Sequence, residues 1–439
     1  MYSKSMIVAA QPEAAEAGAR VLIAGGNAVD AAVTAALVQG VVDPQMCGIA
    51  GFGNCQLLLP DRDIHTCIDF HGKTPLAASP KMWEDLIISE TRDGFGFVLK
   101  DNVNDLGYQS VTTPGSLKAY YEALENFGTW DWADVVAPAI KHAEQGFVVR
   151  PHVAFWWNYG ANYGRVGVDE RLRYSKTGAE SYFDSSGNLK KIGDKVKIPG
   201  MAETLKKIAN YGIDIFYKGE IAEKISEDMK KNGGLLSYED LSTYSTKWTD
   251  PLFGTYRDFG ISTNHPPGGG IMLLEMLNIL ENFNLSKLGH NSTEYIRVVC
   301  EAMKQATVDK ESFVGDPDFV NVPIRRLLSK KHAMQCSKHI LSGQKINIDR
   351  IGQFESKDTT HVSVVDKHGN CVTMTHSLGM PSGVITDGLG FMYNGCMAVF
   401  DPRPGRAGSI EPGKSRFSSL APTIVTKDST PYMILGAPG

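Results

Sequence analysis

The 439-residue sequence lacks the features that mark several large classes of protein. Its formal net charge is −5, so no basic excess is present to neutralise phosphates, which argues against nucleic-acid binding. No window approaches 18 uninterrupted apolar residues, which argues against a membrane-spanning helix. Hydrophobic residues make up 42% and charged residues 21% of the chain, a balance that excludes disordered and collagenous proteins and is typical of globular ones.

Cysteine is also scarce, and its pattern excludes a disulfide framework. The cysteines are scattered without any C-x-x-C pair, at Cys47, Cys55, Cys67, Cys300, Cys336, Cys371 and Cys396. An odd and scattered set fits neither a disulfide scaffold nor a zinc site and is typical of a reducing compartment. The first residues carry no basic segment followed by a long apolar stretch, so no signal peptide is predicted. We therefore expect a cytoplasmic protein.

Motifs for nucleotides and metals are missing as well. The sequence has no Walker loop, no dinucleotide-binding fingerprint and no H-E-x-x-H pair. Its histidines, among them His65, His152 and His265, stand alone and are interpreted as packed side chains. The sequence therefore predicts no metal and no other cofactor. The expected partner is a small molecule, not a nucleic acid or a membrane.

The first part of the chain is predicted to be mostly helical. Small and apolar residues recur at helical spacing over residues 11–24, where a Gly-Gly pair ends the pattern. Asn27 then caps a helix from Ala28 to about Val42, which is apolar on nearly all faces and is therefore predicted to be buried. Further helices are predicted within 116–147, 200–231, 270–280 and 292–312, short strands at 56–59 and 65–70, and long loops over 150–200.

After Lys357 the pattern changes to strands. Two β-type runs, 362–365 and 372–374, flank residues 366–370, whose composition suits a hairpin turn. Later apolar runs are separated by glycine, proline and serine. The chain is thus predicted to be mainly helical early and mainly strand late.

The most informative segment is Asp358-Thr359-Thr360-His361, in which Thr359 stands at the start of a predicted strand after a polar stretch. A threonine hydroxyl is a weak nucleophile that needs a base. Cleavage just before Thr359 would free an α-amine, whose unperturbed pKa of about 8 suits a base near neutral pH. Two threonines also suit an ordinary β-strand, so this segment alone leaves both interpretations open.

Several separated sequence blocks distinguish between these two interpretations of the Thr359 segment. In chain order they are Gly25-Gly26-Asn27-Ala28-Val29-Asp30-Ala31-Ala32, Ile68-Asp69-Phe70, Thr113-Pro114-Gly115, Pro266-Pro267, Glu301-Ala302-Met303-Lys304, Gly315-Asp316-Pro317-Asp318-Phe319, Thr359-Thr360-His361, Ser418-Ser419-Leu420-Ala421-Pro422-Thr423-Ile424-Val425 and Gly436-Ala437-Pro438-Gly439. Each block alone is a weak signal. The ordered set, which covers nearly the whole chain, resembles the γ-glutamyltransferase family of N-terminal-nucleophile hydrolases.

The resemblance implies a fold of the mixed α/β (α+β) class, a four-layer αββα sandwich with two stacked sheets between helical layers. It also implies a precursor that cleaves itself before the nucleophilic threonine. Mapped here, the cut falls between residues 358 and 359. It gives a large segment, 1–358, and a small segment, 359–439, which are each other's partners in one αββα domain. A homodimer is left open. Because the family continues past the position of Gly439, we expect the small segment to be incomplete at its C-terminus.

The same resemblance implies the roles of individual residues. Thr359 is the nucleophile and its freed α-amine the base, while Ser377 matches a second hydroxyl that supports the nucleophile. Ser418 and Ser419 match a pair that holds the substrate carboxylate. Gly439 matches the first glycine of the oxyanion loop.

Departures from the family pattern concern the substrate. The family's γ-glutamyl enzymes have an arginine for the substrate α-carboxylate where this sequence has His71. Histidine lacks the fixed fork of donors of arginine, although His71 and the nearby Lys73 can still receive a carboxylate. Gly379 aligns with a position, shortly after the supporting hydroxyl, where the family usually has an asparagine on the carboxylate side of the substrate. Ala398 and Val399 replace an aspartate pair that includes the group for the substrate α-ammonium, which leaves that ammonium without a counter-charge.

These departures predict a site that keeps its nucleophile but lacks the clamp for an α-amino group. We expect a self-cleaving N-terminal-threonine amidohydrolase or acyltransferase. Its substrate would be the amide of a small carboxylated acyl group, such as a glutaryl or oxamate-like amide. Two alternatives stay open, a true γ-glutamyltransferase or glutathione hydrolase and a non-cleaving, non-catalytic family member.

Overall fold

The computed structural model of the protein describes residues 4–91, 96–161, 164–348 and 359–437. Within these ranges the strands are β1 (Met6–Ala9), β2 (Phe52–Leu59), β3 (Ile64–Phe70), β4 (Ile87–Glu90), β5 (Phe97–Leu99), β6 (Phe147–Val148), β7 (Lys195–Val196), β8 (Lys247–Thr249), β9 (Leu252–Tyr256), β10 (Phe259–Thr263), β11 (Thr360–Val365), β12 (Cys371–Ser377), β13 (Thr423–Lys427) and β14 (Thr430–Leu435). The helices are α1 (Pro12–Ile23), α2 (Ala28–Val42), α3 (Ser116–Phe127), α4 (Trp132–Gln145), α5 (Pro151–Trp157), α6 (Val168–Arg173), α7 (Lys176–Tyr182), α8 (Met201–Tyr211), α9 (Asp214–Tyr217), α10 (Glu220–Lys231), α11 (Tyr238–Thr243), α12 (Gly270–Leu280), α13 (Leu285–Leu288), α14 (Thr293–Phe313), α15 (Ile324–Leu327) and α16 (Lys330–Leu341).

Two antiparallel sheets form the centre of the molecule. The larger sheet has the strand order β1-β11-β12-β2-β3-β8, and the smaller sheet has the order β14-β13-β10-β9. They pack face to face, and the side-chain amide of Gln56 on β2 donates to the hydroxyl of Ser262 on β10 at 2.9 Å. Because the amide is buried in this interface, its hydrogen bond fixes how the two sheets lie against each other.

Helices cover the outer face of each sheet. Helix α2 packs on β11 and β12, α3 packs on β3, and α4 packs on α2. On the other side α12 packs on β9 and β10, and α14 and α16 pack on α12. The order helix, sheet, sheet, helix is the expected αββα sandwich, which is confirmed. Across the described ranges, no helix combines the length and apolar character needed to cross a bilayer.

Helix α2 lies at the centre of the first helical layer. Every residue from Ala28 to Val42 is buried. Its N-terminus carries a capping box, in which the Asn27 side chain accepts from the backbone of Asp30 and the Asp30 side chain accepts from the backbone of Asn27. A cap of this kind stabilises a helix by about 1 kcal/mol. The predicted buried helix and its cap are both confirmed.

The register of the larger sheet brings four residues to one edge. Thr359 immediately precedes β11, and its hydroxyl contacts that of Ser377, the last residue of β12. Ser377 pairs with Phe52, the first residue of β2, and Phe52 in turn stands opposite His71, which follows β3. Residues that are far apart in the sequence therefore follow one another across a single sheet edge.

The segment 150–200 contains a long loop between α7 and β7, as predicted, but it also contains three short helices that were not predicted, α5, α6 and α7. Its aromatic side chains pack on one another, and the rings of Trp157 and Tyr182 meet edge to face with centroids 5.3 Å apart. Both rings are fully buried. The segment buries enough apolar surface to order helices that are too short to be recognised from periodicity.

Candidate active site

Thr359 and Ser377 place two hydroxyls side by side at the sheet edge. Their Oγ1 and Oγ atoms are 3.1 Å apart, and both residues are buried. The Ser377 hydroxyl also accepts the backbone N–H of Gly379 at 2.8 Å, which fixes its position. Asp358 lies outside the described residues, so cleavage before Thr359 stays a prediction.

A small cleft opens beside these hydroxyls. Thr359, Ser377, Ser418 and Ser419 all line it, so four of the residues selected from the sequence meet in one place. The remaining lining residues are Phe52, Gly379, Met380, Gly395, Ala398, Val399, Arg416, Phe417 and Leu420. Both sheets contribute, since Thr359 and Ser377 belong to the larger sheet and the serine pair precedes β13 of the smaller one.

Backbone hydrogen bonds hold the serine pair in position. The N–H of Ser418 donates to the carbonyl of Pro267 at 2.9 Å, and the carbonyl of Leu420 accepts the N–H of Gly269 at 2.8 Å. The N–H of Ser415 donates to the buried carboxylate of Asp316 at 2.8 Å. These partners belong to the Pro-Pro-Gly and Gly-Asp-Pro segments singled out in the sequence, so segments that are distant in the chain meet at the serine pair.

His71 contacts two residues of the cleft lining, Ser418 through a hydrogen bond and Phe52 through its ring. Its Nδ1 donates to the Asp69 carboxylate at 2.6 Å, and its Nε2 lies 2.6 Å from the Ser418 hydroxyl. Burial raises the pKa of Asp69, but the His71 ring and its two hydrogen bonds outweigh burial and hold that pKa below its usual value. Asp69 therefore stays ionised and orients the ring toward Ser418.

His71 and Lys73 lie beside the cleft, and their contact with a substrate carboxylate stays a prediction. Both residues line a different cavity, together with Asp69, Tyr244 and Asp316, and neither lines the cleft. The Lys73 ammonium lies over the ring of Tyr244, 5.3 Å from its centroid. The register of β3 places the His71 ring behind the Ser418 hydroxyl.

Arg416 is the site residue that sequence reasoning missed. Its guanidinium lies 4.7 Å from the centroid of the Phe52 ring, and its Nε donates to the carbonyl of Phe417 at 3.0 Å. Burial lowers the pKa of Arg416, yet a guanidinium is basic enough to stay protonated. The sequence offered one signal for Arg416, because it stands two residues before the serine pair that was assigned to the site.

The cleft contains no acidic side chain among the residues the structure describes. Ala398 and Val399, the residues in place of the aspartate pair, both line it. The loop that carries them is held by Asn394, whose side-chain oxygen accepts the hydroxyl of Thr112 at 2.7 Å. The part of the lining that Ala398 and Val399 form is therefore apolar and cannot balance a positive charge.

His361, next to the nucleophile segment, is a packing residue. Its ring nitrogens lie 2.8 Å from the hydroxyls of Thr375 and Ser363. Burial lowers the pKa of His361 to about 4, so the ring is neutral near pH 7. A Cβ added to Gly436 would come within 2.3 Å of this ring, so the chain that leads toward Gly439 packs directly on it. Gly439 itself lies outside the described residues, and its role stays a prediction.

One group of side chains in the described ranges has the donor atoms to hold a metal. Glu275, Asp309 and His332 offer ligand atoms that all lie within 4.8 Å of one another, on α12, α14 and α16. None of them lines the cleft. The Nε2 of His332 lies 2.9 Å from the Glu275 carboxylate and 3.3 Å from that of Asp309, so hydrogen bonding accounts for the arrangement.

Comparison with known proteins gives one consistent result. The model of the γ-glutamyltranspeptidase family matches residues 14–439. The acylase ACY 1 proenzyme of Pseudomonas sp. (strain V22) is 37% identical, over 100% of this chain and 77% of that protein. The glutathione hydrolase proenzyme of Escherichia coli (strain K12) is 34% identical, over 99% of this chain and 75% of that protein.

Solved structures agree with the sequence relatives. The cephalosporin acylase from Bacillus halodurans superposes with a TM-score of 0.83 and 27% identity, covering 99% of this chain and 77% of that one. The γ-glutamyltranspeptidase of Helicobacter pylori has a TM-score of 0.68 and 31% identity, covering 79% of this chain and 94% of that one. Proteins named acylases and proteins named transpeptidases are thus both similar to this chain.

Proposed function

This chain belongs to the γ-glutamyltranspeptidase family of N-terminal-nucleophile hydrolases, and we propose that Thr359 is its nucleophile and a small carboxylated acyl group its substrate. The observation that carries the proposal is the 3.1 Å contact between the Thr359 and Ser377 hydroxyls. The contact lies in a cleft whose described lining has no acidic side chain. A buried hydroxyl pair at a strand start suits a nucleophile and its supporting group.

The first step of the proposed function is maturation. Hydrolysis of the peptide bond between Asp358 and Thr359 consumes one water and leaves a carboxylate on Asp358 and an α-amine on Thr359. The two products are the segments 1–358 and 359–439. The α-amine is then bonded to the same Cα as the nucleophilic side chain, so no other residue has to supply the base.

The second step is acyl transfer. The α-amine accepts the proton of the Thr359 hydroxyl as Oγ1 attacks the carbonyl carbon of the substrate amide. The C–N bond breaks, the leaving amine takes the proton, and the acyl group remains as an ester on Thr359. Water or a second amine then attacks this ester and restores the hydroxyl. We assign the Ser377 hydroxyl to hold Oγ1 in place, and Gly439 to the oxyanion donors.

The proposed acyl group carries an acid but no α-amino group. An α-ammonium beside Ala398 and Val399 would lose its hydration without gaining a counter-charge, which costs several kcal/mol. The Ser419 hydroxyl can donate to a carboxylate, and the Ser418 hydroxyl can do so when the Nε2 of His71 carries a proton and donates to it. Relatives named acylase support this substrate class, and relatives named glutathione hydrolase support the alternative, a γ-glutamyl amide.

Intact-mass analysis tests the maturation step. We expect the wild-type protein to yield two masses that meet between residues 358 and 359, and the Thr359→Ala variant to yield one mass and no amidase activity. Thr360→Ser is the matched control, because Thr360 is the adjacent threonine and the variant keeps its hydroxyl. Cleavage at the same bond in Thr359→Ala, or amide hydrolysis by an uncleaved wild-type chain, would contradict the mechanism. An intact, inactive wild-type chain would identify a non-catalytic member.

A matched pair of amides tests the substrate class. Glutaryl p-nitroanilide and γ-glutamyl p-nitroanilide have the same carbon chain and differ only in the α-ammonium. We expect kcat/KM to be higher for the glutaryl amide. The reverse order would favour the γ-glutamyltransferase alternative and leave the assignment of Thr359 intact.

A further inference from the structure

Arg416 supplies the single charged side chain among the described residues that line the cleft. We propose that its guanidinium binds the free carboxylate at the far end of the acyl group, an inference that rests on the proposed function. This assigns to Arg416 the contact that the sequence alone assigned to His71 and Lys73. The proposal makes Arg416 the residue that selects dicarboxylic monoamides over amides of neutral acids.

The first argument is the absence of a counter-ion. None of the described Asp or Glu residues forms an ion pair with Arg416, and the thiol of Cys396 is its polar side-chain neighbour. The residue is half-buried, so its charge is only partly compensated by water. A desolvated cation without a partner is costly unless an anion occupies the site, which a substrate carboxylate would do.

The second argument is that the guanidinium is held in place from several sides. The Phe52 ring lies beneath it, and the carbonyl of Phe417 accepts from its Nε. Its Nη1 lies only 3.0 Å from the point where a Cβ on Gly379 would be. The carbonyl of Phe417 and the thiol of Cys396 engage only part of the five N–H groups of the guanidinium, and the others can donate to the oxygens of a carboxylate.

The third argument decides which end of the substrate Arg416 meets. Its neighbours Phe52, Gly379 and Cys396 are all buried, so Arg416 marks a closed end of the cleft. The leaving amine must depart while the acyl group stays on Thr359. The part of the substrate in the closed end is therefore the acyl part. Gly379, beside the guanidinium, donates its backbone N–H to Ser377, whose hydroxyl contacts Thr359, so the cation and the nucleophile line the same part of the cleft.

Two substrates of equal acyl length test the proposal, glutaryl p-nitroanilide and its neutral counterpart pentanoyl p-nitroanilide. In Arg416→Gln we expect kcat/KM for the glutaryl amide to fall about 30-fold or more, while the value for the pentanoyl amide changes less than about threefold. In Arg416→Lys the preference for the glutaryl over the pentanoyl amide should lie between those of the wild type and Arg416→Gln. Lysine keeps the positive charge but lacks the planar, two-pronged donor group of arginine. An equal loss on both amides, or no loss on the glutaryl amide, would overturn the proposal.

Arg326→Gln is the matched control. Arg326 also lies over a phenylalanine ring, 4.3 Å from the centroid of Phe313, but it does not line the cleft. We expect this variant to treat both amides as the wild type does. The amide 4-(pentanoylamino)benzoate carries its carboxylate on the leaving amine. It therefore distinguishes the acyl side of the cleft from the amine side. A selective loss on that compound in Arg416→Gln would place the cation on the amine side and refute the assignment.

Calorimetry with glutarate keeps the inference separate from the proposed function. Glutarate should bind the wild-type protein and bind Arg416→Gln at least about tenfold more weakly. Equal binding would overturn the role of Arg416, whatever the chain does to amides. A chain that binds glutarate through Arg416 but neither cleaves itself nor acylates Thr359 would refute the proposed function alone. Intact mass and the melting temperature report whether each variant has folded and matured.

Discussion

The Nε2 of His71 and the hydroxyl of Ser418 are 2.6 Å apart, and this hydrogen bond joins the cleft to the cavity behind it. The ring is held from its other side by Asp69. His71 is thus a positioning residue for Ser418, since its own atoms do not line the cleft. Replacing His71 should therefore affect substrate binding through the position of the Ser418 hydroxyl.

A double-mutant cycle tests this relationship. We expect His71→Asn and Ser418→Ala each to raise KM for glutaryl p-nitroanilide by about tenfold with little change in kcat, because one donor to the carboxylate is misplaced or lost. The double variant should resemble either single variant, since both remove the same contact. Effects that multiply to about a hundredfold would mean that His71 acts independently of Ser418.

Gly379→Ala should impair the site in two separable ways. The residue has a φ of +77°, so alanine there is expected to cost about 1–2 kcal/mol of stability. Its Cβ would also displace the Arg416 guanidinium, so we expect a rise of about tenfold in KM for the glutaryl amide. Gly343→Ala is the control, because Gly343 has a φ of +78° and open space around it. It should lose similar stability, as measured by urea unfolding, and keep its activity.

Val399→Asp should shift specificity toward γ-glutamyl amides. Val399 is half-exposed in the cleft, so a carboxylate there can meet an α-ammonium without deep burial. We expect the ratio of kcat/KM for γ-glutamyl over glutaryl p-nitroanilide to rise about tenfold. Val399→Asn has nearly the same shape without the charge and should leave the ratio unchanged. A similar rise in both variants would show that shape, not charge, controls the discrimination.

His361→Gln should reduce the pH dependence of stability. The pKa of His361 is lowered to about 4 in the folded protein and is near 6.5 when unfolded, so the unfolded chain binds more protons between these values. The free energy of unfolding therefore falls as pH drops from about 6.5 toward 4. His361 alone contributes about 2 kcal/mol to the fall between pH 7 and pH 5.

Urea denaturation at pH 7 and pH 5 measures this effect. The fall in unfolding free energy should be about 2 kcal/mol smaller in His361→Gln than in the wild type. His368, exposed in the β11–β12 turn, gives the control, and His368→Gln should leave the fall unchanged. An identical fall in His361→Gln and the wild type would mean that this ring does not carry the proton linkage.

Elements with strong local signals were predictable from the sequence. Helix α2 has a cap at Asn27 and apolar residues on all faces, and the β11–β12 hairpin has a turn between two β-branched runs. Strands β8, β9 and β10 were not predicted. Their exposed positions interrupt any apolar run, and Phe253 is 64% exposed, so their pairing depends on partners far along the chain.

The site was predictable where a residue's role depends on its place in the chain. Thr359 begins a strand and Ser418 precedes one, and both line the cleft. Which cavity a side chain lines depends on packing between strands, so the sequence could not show that His71 and Lys73 line the cavity behind Ser418. Arg416 was missed for the same reason, because its position in the cleft depends on Gly379 and on the ring of Phe52, neither of which is near it in sequence.

The strand order has a consequence for the protein after scission. Strands β11 and β12 would belong to the small piece, yet they lie between β1 and β2 of the large piece, and β13 lies beside β10. Neither polypeptide can dissociate without breaking the hydrogen bonds between strands in both sheets. The nicked enzyme should therefore migrate as one particle under native conditions and melt in a single cooperative transition. Pieces separated in denaturant should regain their structure only when mixed.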